Sequence, residues 1–324
     1  MEPPFLLVDL DGPASHPSRE TSCVRVAVAA EPAETTGEFD LLLTVSPDPP
    51  RPWVGCADPY VTAQRLRDIV TTRPDACLAL VQVLRMGPSL PPPDRLIMES
   101  LAYSTLQAGA AFRSWLAGKR PRAARPSTEP VLLDRDGDRL TITLNRPRVH
   151  NAFDAATRDA LCEALEVAVS DPTVTRVDLR GNGPSFCSGG DLAEFGSSTD
   201  PARAHHVRVH RSPAALLQRC TAEVTAHLHG ACVGAGIELA AFAGRVTVAP
   251  DTVIRLPEID MGLIPGAGGT ASLPTRIGRE RTAYLALTGA ALSATEARRW
   301  GLADETASGH ADAGGALAIH SSEN

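Results

Sequence analysis

The chain has 324 residues, of which 43% are hydrophobic but only 4% aromatic, so aliphatic side chains and alanine must fill its core. That length predicts two domains, or one with a large extension. A net charge of −7 argues against a nucleic-acid partner, which normally needs a basic face, but leaves room for a phosphorylated small molecule held by a few basic residues. The seven cysteines include no CxxC pair and no zinc-site spacing, and read as reduced thiols of a cytoplasmic protein. The start, MEPPFLLVDLDGPASHP, does not read as a secretory leader, and no apolar run approaches the ~18 residues that span a membrane.

Residues 1–116 form an N-terminal region that is proline-rich (Pro47, Pro49, Pro50, Pro52; Pro88, Pro91, Pro92, Pro93) yet patterned enough to fold. Leu41–Val45 is expected to be a strand, Thr62–Thr71 a short helix and Leu78–Leu84 a buried strand. Ile97–Leu116 has helical spacing, with Met98, Leu101, Thr105, Ala108, Phe112 and Trp115 on one face. No chemical motif stands out in this region. Residues 117–130, AGKRPRAARPSTEP, have the composition of a basic, proline-rich linker. Its Lys119, Arg120, Arg122 and Arg125 read as solvated charges, with a ligand phosphate as the alternative contact.

From Val131 the pattern becomes regular. Val131–Asp134 and Leu140–Leu144 are expected to pair as a hairpin around Asp136-Gly137-Asp138. Asp154–Val169 reads as a helix, Val174–Leu179 as a strand, and Ala202–Leu217 as a helix that Pro213 breaks or kinks. A strand at Val224–Leu228, a short apolar helix at Gly236–Ala243 and a strand at Val246–Ala249 follow. Ser293-Ala294-Thr295-Glu296 is a capping box opening a last helix through Trp300. Strands alternating with helices predict an α/β architecture. Residues 131–305 thus read as one domain, and 306–324, TASGHADAGGALAIHSSEN, as a flexible tail by composition.

Four segments carry possible chemistry. Ser185–Leu192 (SFCSGGDL) follows a strand, and its small residues let a ligand approach the backbone, though an ordinary glycine turn would look the same. Gly230–Leu239 (GACVGAGIEL) runs from a strand into an apolar helix, whose first backbone N–H groups are unpaired and can hold developing negative charge. It lacks the third glycine and the βαβ setting of a dinucleotide fingerprint. Arg255–Pro265 (RLPEIDMGLIP) and Gly266–Thr270 (GAGGT) complete the set; the latter has no P-loop lysine. Glu238 and Glu258 sit among apolar residues. Desolvation there raises a carboxyl pKa, which suits a group that trades protons near neutral pH. Taken singly, each is as well read as a surface residue or half of a buried ion pair; together, beside two backbone donor loops, they favour chemistry. His206 and His210 have i, i+4 spacing, but no HExxH pattern accompanies them, and no metal is expected. Cys187 reads as a small buried residue.

At RPRVHNAF (Arg146–Phe153), FCSGGDL (Phe186–Leu192), HGACVGAGIEL (His229–Leu239), LPEIDMGLIPGAGGT (Leu256–Thr270) and GAALSATEARRWGLADE (Gly289–Glu305), the chain resembles the crotonase (enoyl-CoA hydratase/isomerase) superfamily over about 131–305. The resemblance implies a crotonase-like (ClpP/crotonase) spiral of ββα units, here with an additional N-terminal α/β region. It implies an oxyanion hole made by the backbone N–H groups of Ser188 and Ala235, with Glu238 and Glu258 as catalytic acid and base. Family members usually carry glycine where Ala235 stands. It further implies an acyl-CoA channel lined by Arg146, Arg148, Val149, Asn151, Ala152, Phe186, Ser188, Gly189, Gly190, Asp191, Gly234, Pro265 and Gly266. No metal or redox cofactor is implied, coenzyme A being part of the substrate. The implied reaction is hydration of an enoyl-CoA thioester. Double-bond isomerisation is the first alternative, and a non-catalytic CoA-binding partner subunit the second. A homo-oligomer, with a trimer as its family form, is the implied assembly; no nucleic-acid or membrane partner is. Family members usually continue for several helical turns beyond the GLADE-like segment, which leaves open whether the N-terminal region takes over the pocket wall those turns supply.

Overall fold

The structure is a computed structural model that describes residues 4–12, 22–34, 38–120 and 127–307. The N-terminal part opens with four parallel strands in spatial order β1-β2-β3-β4: β1 (Phe5–Asp9), β2 (Val24–Ala29), β3 (Leu41–Thr44) and β4 (Val54–Gly55). β2 and β3 are buried at every residue, as parallel strands covered on both faces require. Four helices follow: α1 (Pro59–Thr72), α2 (Pro74–Met86), α3 (Pro92–Gln107) and α4 (Ala110–Gly118). Asp58 caps α1 by accepting the Tyr60 and Val61 N–H groups, and Pro59 supplies a preset φ where no N–H is needed.

Two expectations for this region are corrected. Leu78–Leu84 lies inside helix α2, whose buried residues Ala76, Cys77, Leu80, Val81, Val83 and Leu84 fall at helical spacing. A short continuous apolar run cannot by itself separate a buried strand from a buried helix. The helix foreseen over Ile97–Leu116 is two, α3 and α4, separated at Ala108–Gly109. Its inward face is also rotated: Leu101 is 52% exposed, and Thr105 and Ala108 are exposed, whereas Glu99, Ser100 and Ser104 are buried. Polar pairing with other parts of the chain turns that face inward.

The remainder winds as ββα units. Its elements are β5 (Val131–Asp136), β6 (Arg139–Leu144), α5 (Ala155–Ser170), β7 (Arg176–Gly181), α6 (Pro201–His210), α7 (Pro213–Arg219), β8 (Glu223–Leu228), β9 (Ala231–Val233), α8 (Ala235–Ala240), β10 (Arg245–Val248), β11 (Val253–Arg255), α9 (Gly269–Ile277), α10 (Arg279–Thr288), β12 (Leu292–Ser293), α11 (Ala294–Trp300) and β13 (Glu305–Thr306). A six-stranded sheet has the order β13-β10-β8-β7-β6-β5, parallel except for the β5–β6 hairpin. A smaller sheet has the order β12-β11-β9. The chain feeds both in turn: β8 enters the large sheet and β9 the small one, then β10 the large and β11 the small. Pro213 starts α7, with Ser212 as its cap, so the expected break stands between two helices. The capping box at Ser293–Glu296 opens α11 as read from the sequence.

One hydrophobic core spans both parts, with Leu80, Leu84, Leu106 and Phe112 in the same cluster as Leu165, Ile254 and Leu285. A smaller cluster around Trp53 and Leu42 covers the other face of the N-terminal sheet. α4 runs to Gly118 and so takes in the first two residues of the expected linker; 121–126, with Arg122 and Arg125, lie outside the described residues. Lys119 packs over the Trp115 and Phe195 rings. Glu305–Thr306 pairs with β10, and 308–324 of the expected tail lie outside the described residues. Among the described residues no helix is long and apolar enough to cross a membrane.

Candidate active site

The loop after β7 and strand β9, which leads into α8, are zipped together by their backbones. Cys187 N–H donates to Ala231 C=O at 3.1 Å, and Val233 N–H donates to Cys187 C=O at 3.0 Å. Small residues are obligatory at this seam. A Cβ on Gly189 would lie 2.8 Å from Val233 O, and one on Gly236 would lie 2.4 Å from Cys187 O.

The Phe186–Asp191 loop is held from its other side by the loop around Asn151. Phe153 N–H donates to Gly189 C=O at 2.8 Å and Asp191 N–H to Phe153 C=O at 2.9 Å, so Gly190 between them turns its own N–H away from this pairing. Ser188 N–H donates to His150 C=O at 2.9 Å. This corrects the expectation for Ser188: its donor is already used, so it is not available to a ligand. Gly190 N–H has no acceptor among the described residues. Ala235 is the first residue of α8, where an N–H has no partner within its helix. Gly190 and Ala235 both line a cavity of about 240 Å³ that also contains Glu238 and Glu258.

Several residues expected along the channel hold the loops instead. Arg146 is 5% exposed, and its guanidinium meets Asp154 at 2.9 Å, Asp191 at 3.0 Å and the Ala152 carbonyl. A cation so enclosed is not placed for a ligand phosphate. Asn151 is 1% exposed; its amide donates to the carbonyls of Asn182, Ser185 and Phe186, and its Oδ1 accepts the Arg146 N–H. Its φ of 53° is one of only two positive values at non-glycine positions among the described residues, the other being His150. Phe186 is buried in the core, Ala152 and Gly189 are buried, Val149 is half-buried, and Arg148 is exposed. Gly234 adopts φ 49°, where a Cβ would meet Glu258 Oε1 at 2.5 Å. Asp191 and Gly266 line the cavity, while Pro265 is buried behind it. Outside the cavity, His206 and His210 stack on each other at 4.0 Å, and His205 bonds Ser100.

Glu238 is 2% exposed, and its Oε2 accepts the N–H groups of Ala267 at 2.7 Å and Gly269 at 2.9 Å. Glu258 opens the 3-10 turn Glu258–Met261, and its Oε2 is buried with no hydrogen-bond partner among the described residues. Leaving such an oxygen unpaired is costly, which marks it as open to something the cavity receives. Burial drives both carboxyls upward. Glu258 is pushed up to about 8. Glu238 is held well above its ordinary value by burial, then by the charges of Glu258 and Glu99, against the Ala267 and Gly269 donors.

The N-terminal helices complete the site. Tyr103 of α3 and Phe112 of α4 line the cavity; the Tyr103 ring fills the space a Cβ on Gly266 would take, and Ala111 packs against Gly262, just beyond the Glu258 turn. A second cavity of about 210 Å³ shares Phe153, Arg158, Arg208, Gly266 and Ala267 with the first and is lined also by Glu99. Glu99 is the residue that sequence reasoning missed. It stands in an apolar setting, IMESLAY, much as Glu238 does, and that signal was open to the same reading.

These burials set a pH dependence of stability. Glu258 at about 8 and Glu99 at about 7, both raised chiefly by burial, lie above the ordinary value of 4.5. The folded chain therefore binds more protons than the unfolded one between those limits. Their favourable contribution is complete below the ordinary value and is lost as pH rises through the folded values. Thermal unfolding is expected to lose on the order of a few kcal/mol of stability from about pH 5 to about pH 9. Glu258→Gln is expected to flatten that slope in a melting series across pH.

Comparison with known proteins adds to this geometry. The family model described as enoyl-CoA hydratase/isomerase matches residues 138–313, more than half of the chain. An enoyl-CoA isomerase/hydratase of Mycosarcoma maydis is 33% identical over 178 residues, 52% of this chain and 65% of that protein. A 2,3-dehydroadipyl-CoA hydratase of Escherichia coli is 31% identical over 175 residues, 54% of this chain and 68% of that protein. A Thermobifida fusca structure in complex with acetoacetyl-CoA superposes with a TM-score of 0.51 at 26% identity, covering 55% of this chain and 73% of that one. The chain thus spans about two thirds of the length of these two curated relatives.

Proposed function

Since the chain belongs to the enoyl-CoA hydratase/isomerase family, we propose that it adds water across the double bond of a 2-enoyl-CoA thioester, or removes it, using Gly190, Ala235, Glu238 and Glu258. The observation that carries this reading is the placing of two carboxyls, Glu238 buried and Glu258 half-buried with its Oε2 enclosed, in one cavity with two backbone N–H groups that meet no acceptor among the described residues. The Gly190 and Ala235 N–H groups bind the thioester oxygen. They lower the barrier as negative charge collects there, by about 3–4 kcal/mol for a good donor.

A water lies between Glu238 and Glu258. One carboxylate takes its proton as the oxygen bonds to Cβ, and the other carboxyl delivers a proton to Cα of the enolate. H and OH are thereby added, and the pair ends with its protons exchanged. The titration belongs to the pair as a whole, because each charge disfavours the other. Isomerisation of a 3-enoyl-CoA would need only one of the two to shuttle a proton, and it is the second reading because several relatives bear both names.

Loss of the conjugated-thioester absorbance with a series of 2-enoyl-CoA substrates tests the proposal. Turnover of 2-enoyl-CoA supports hydration, whereas turnover of 3-enoyl-CoA alone supports isomerisation. Tight acyl-CoA binding with neither activity would leave a binding subunit.

A further inference from the structure

Glu99 is buried at 2% exposure and comes from the half of the chain in which no motif was found. Its Oε1 accepts the Gly268 N–H at 2.7 Å; its Oε2 accepts the Thr270 N–H at 2.8 Å and the Thr270 hydroxyl at 2.6 Å. The alternate amides of the same turn, Ala267 and Gly269, go to Glu238. One five-residue turn is therefore divided, amide by amide, between two carboxylates more than a hundred residues apart in sequence.

We propose that Glu99 is a positioning residue for the Glu238–Glu258 pair: it clamps the turn that holds Glu238 and sets a third buried negative charge beside the two. The inference rests on the hydratase reading and deepens it. Glu99 lines the neighbouring cavity and not the one that holds the pair, so it acts through Glu238 and the turn.

The charge has a chemical consequence. A buried anion beside two carboxyls makes each of them keep its proton to higher pH. Burial is the largest cause at both Glu238 and Glu258, and the Glu99 charge adds to it at each. Glu99 itself is pushed up to about 7 by burial, against the Thr270 and Gly268 bonds and the Arg208 charge, so its own charge changes near neutral pH. The charged and titratable groups that act on it are Arg208 of α6, Tyr103 of its own helix, Glu238 of α8 and Glu258, while His205 of α6 bonds the neighbouring Ser100. Arg208 lies over the Tyr103 ring at 4.6 Å and is held by Ser100, Ser104 and Gln107.

Two variants reduce the charge at position 99, and each also gives up one bond of the clamp: Glu99→Gln turns its NH2 toward one of the amides, and Thr270→Val removes the hydroxyl. Glu99→Gln keeps the side chain's size and drops its charge. Thr270→Val removes the hydroxyl donor, which leaves Glu99 protonated to higher pH and so less often charged. Glutamate carboxyl carbons of the full chain are followed by 13C NMR across pH, with Glu238 and Glu258 assigned by loss of their signals in Glu238→Gln and Glu258→Gln. In Glu99→Gln both titration midpoints are expected to move to lower pH, and in Thr270→Val they move the same way by less. The pH profile of turnover moves with them. Unchanged midpoints in variants with an unaltered circular dichroism spectrum overturn the proposal, and Thr270→Val carries the test alone if Glu99→Gln does not fold. A wild-type chain with no hydratase activity would refute the proposed function, while the midpoints would still decide the role of Glu99.

Discussion

Glu238→Gln is expected to lower kcat for hydration of a 2-enoyl-CoA by about 10²–10⁴-fold, the usual worth of a positioned acid or base. The fold should survive, because an amide oxygen can still accept the Ala267 and Gly269 N–H groups that now meet Glu238 Oε2. What is lost is the proton. A carboxamide of this kind neither takes one from water nor gives one to Cα. Since the change touches proton transfer and leaves the backbone donors in place, kcat and kcat/KM should fall together with KM nearly constant. Steady-state kinetics on one substrate check this. A rise in KM with kcat intact would instead make Glu238 a binding residue.

The second large effect concerns a backbone atom. Ala235→Pro deletes one N–H at the first position of α8, where proline is otherwise tolerated. Loss of that donor is expected to cost about 3 kcal/mol in the transition state, a fall of about 10²–10³ in kcat. The methyl group of Ala235 has no part in this, so Ala235→Gly should keep near wild-type activity. Equal damage from both variants would mean that the side chain, and not the amide, matters.

The two carboxyls of the candidate site are legible because their signal is local: an acid flanked by apolar residues, next to a glycine-rich turn. The donor pair was only half legible. FCSGGD offers several successive N–H groups, and which of them stays open depends on the His150 carbonyl, which takes the one on Ser188. The resemblance puts Arg146 and Asn151 along the ligand channel, but a polar residue near a site has two uses. Only their distant partners, Asp154 and Asp191 for the one and the Ser185 and Phe186 carbonyls for the other, distinguish them. In the N-terminal region the alternation of apolar residues along α3 pointed to the wrong face, since the buried face there is polar and pairs with Arg208 and the Gly268–Thr270 amides. Binary patterning carries no information about such pairs.

Isotopes test water addition most directly. Incubation of a 2-enoyl-CoA in water enriched in both 18O and deuterium is expected to yield a 3-hydroxyacyl-CoA with one 18O at Cβ and one deuterium at Cα. Glu238→Gln and Glu258→Gln should each suppress both labels together. Deuterium at Cα or Cγ with no 18O in the product would contradict the account, because it would show a proton shuttle working without water addition.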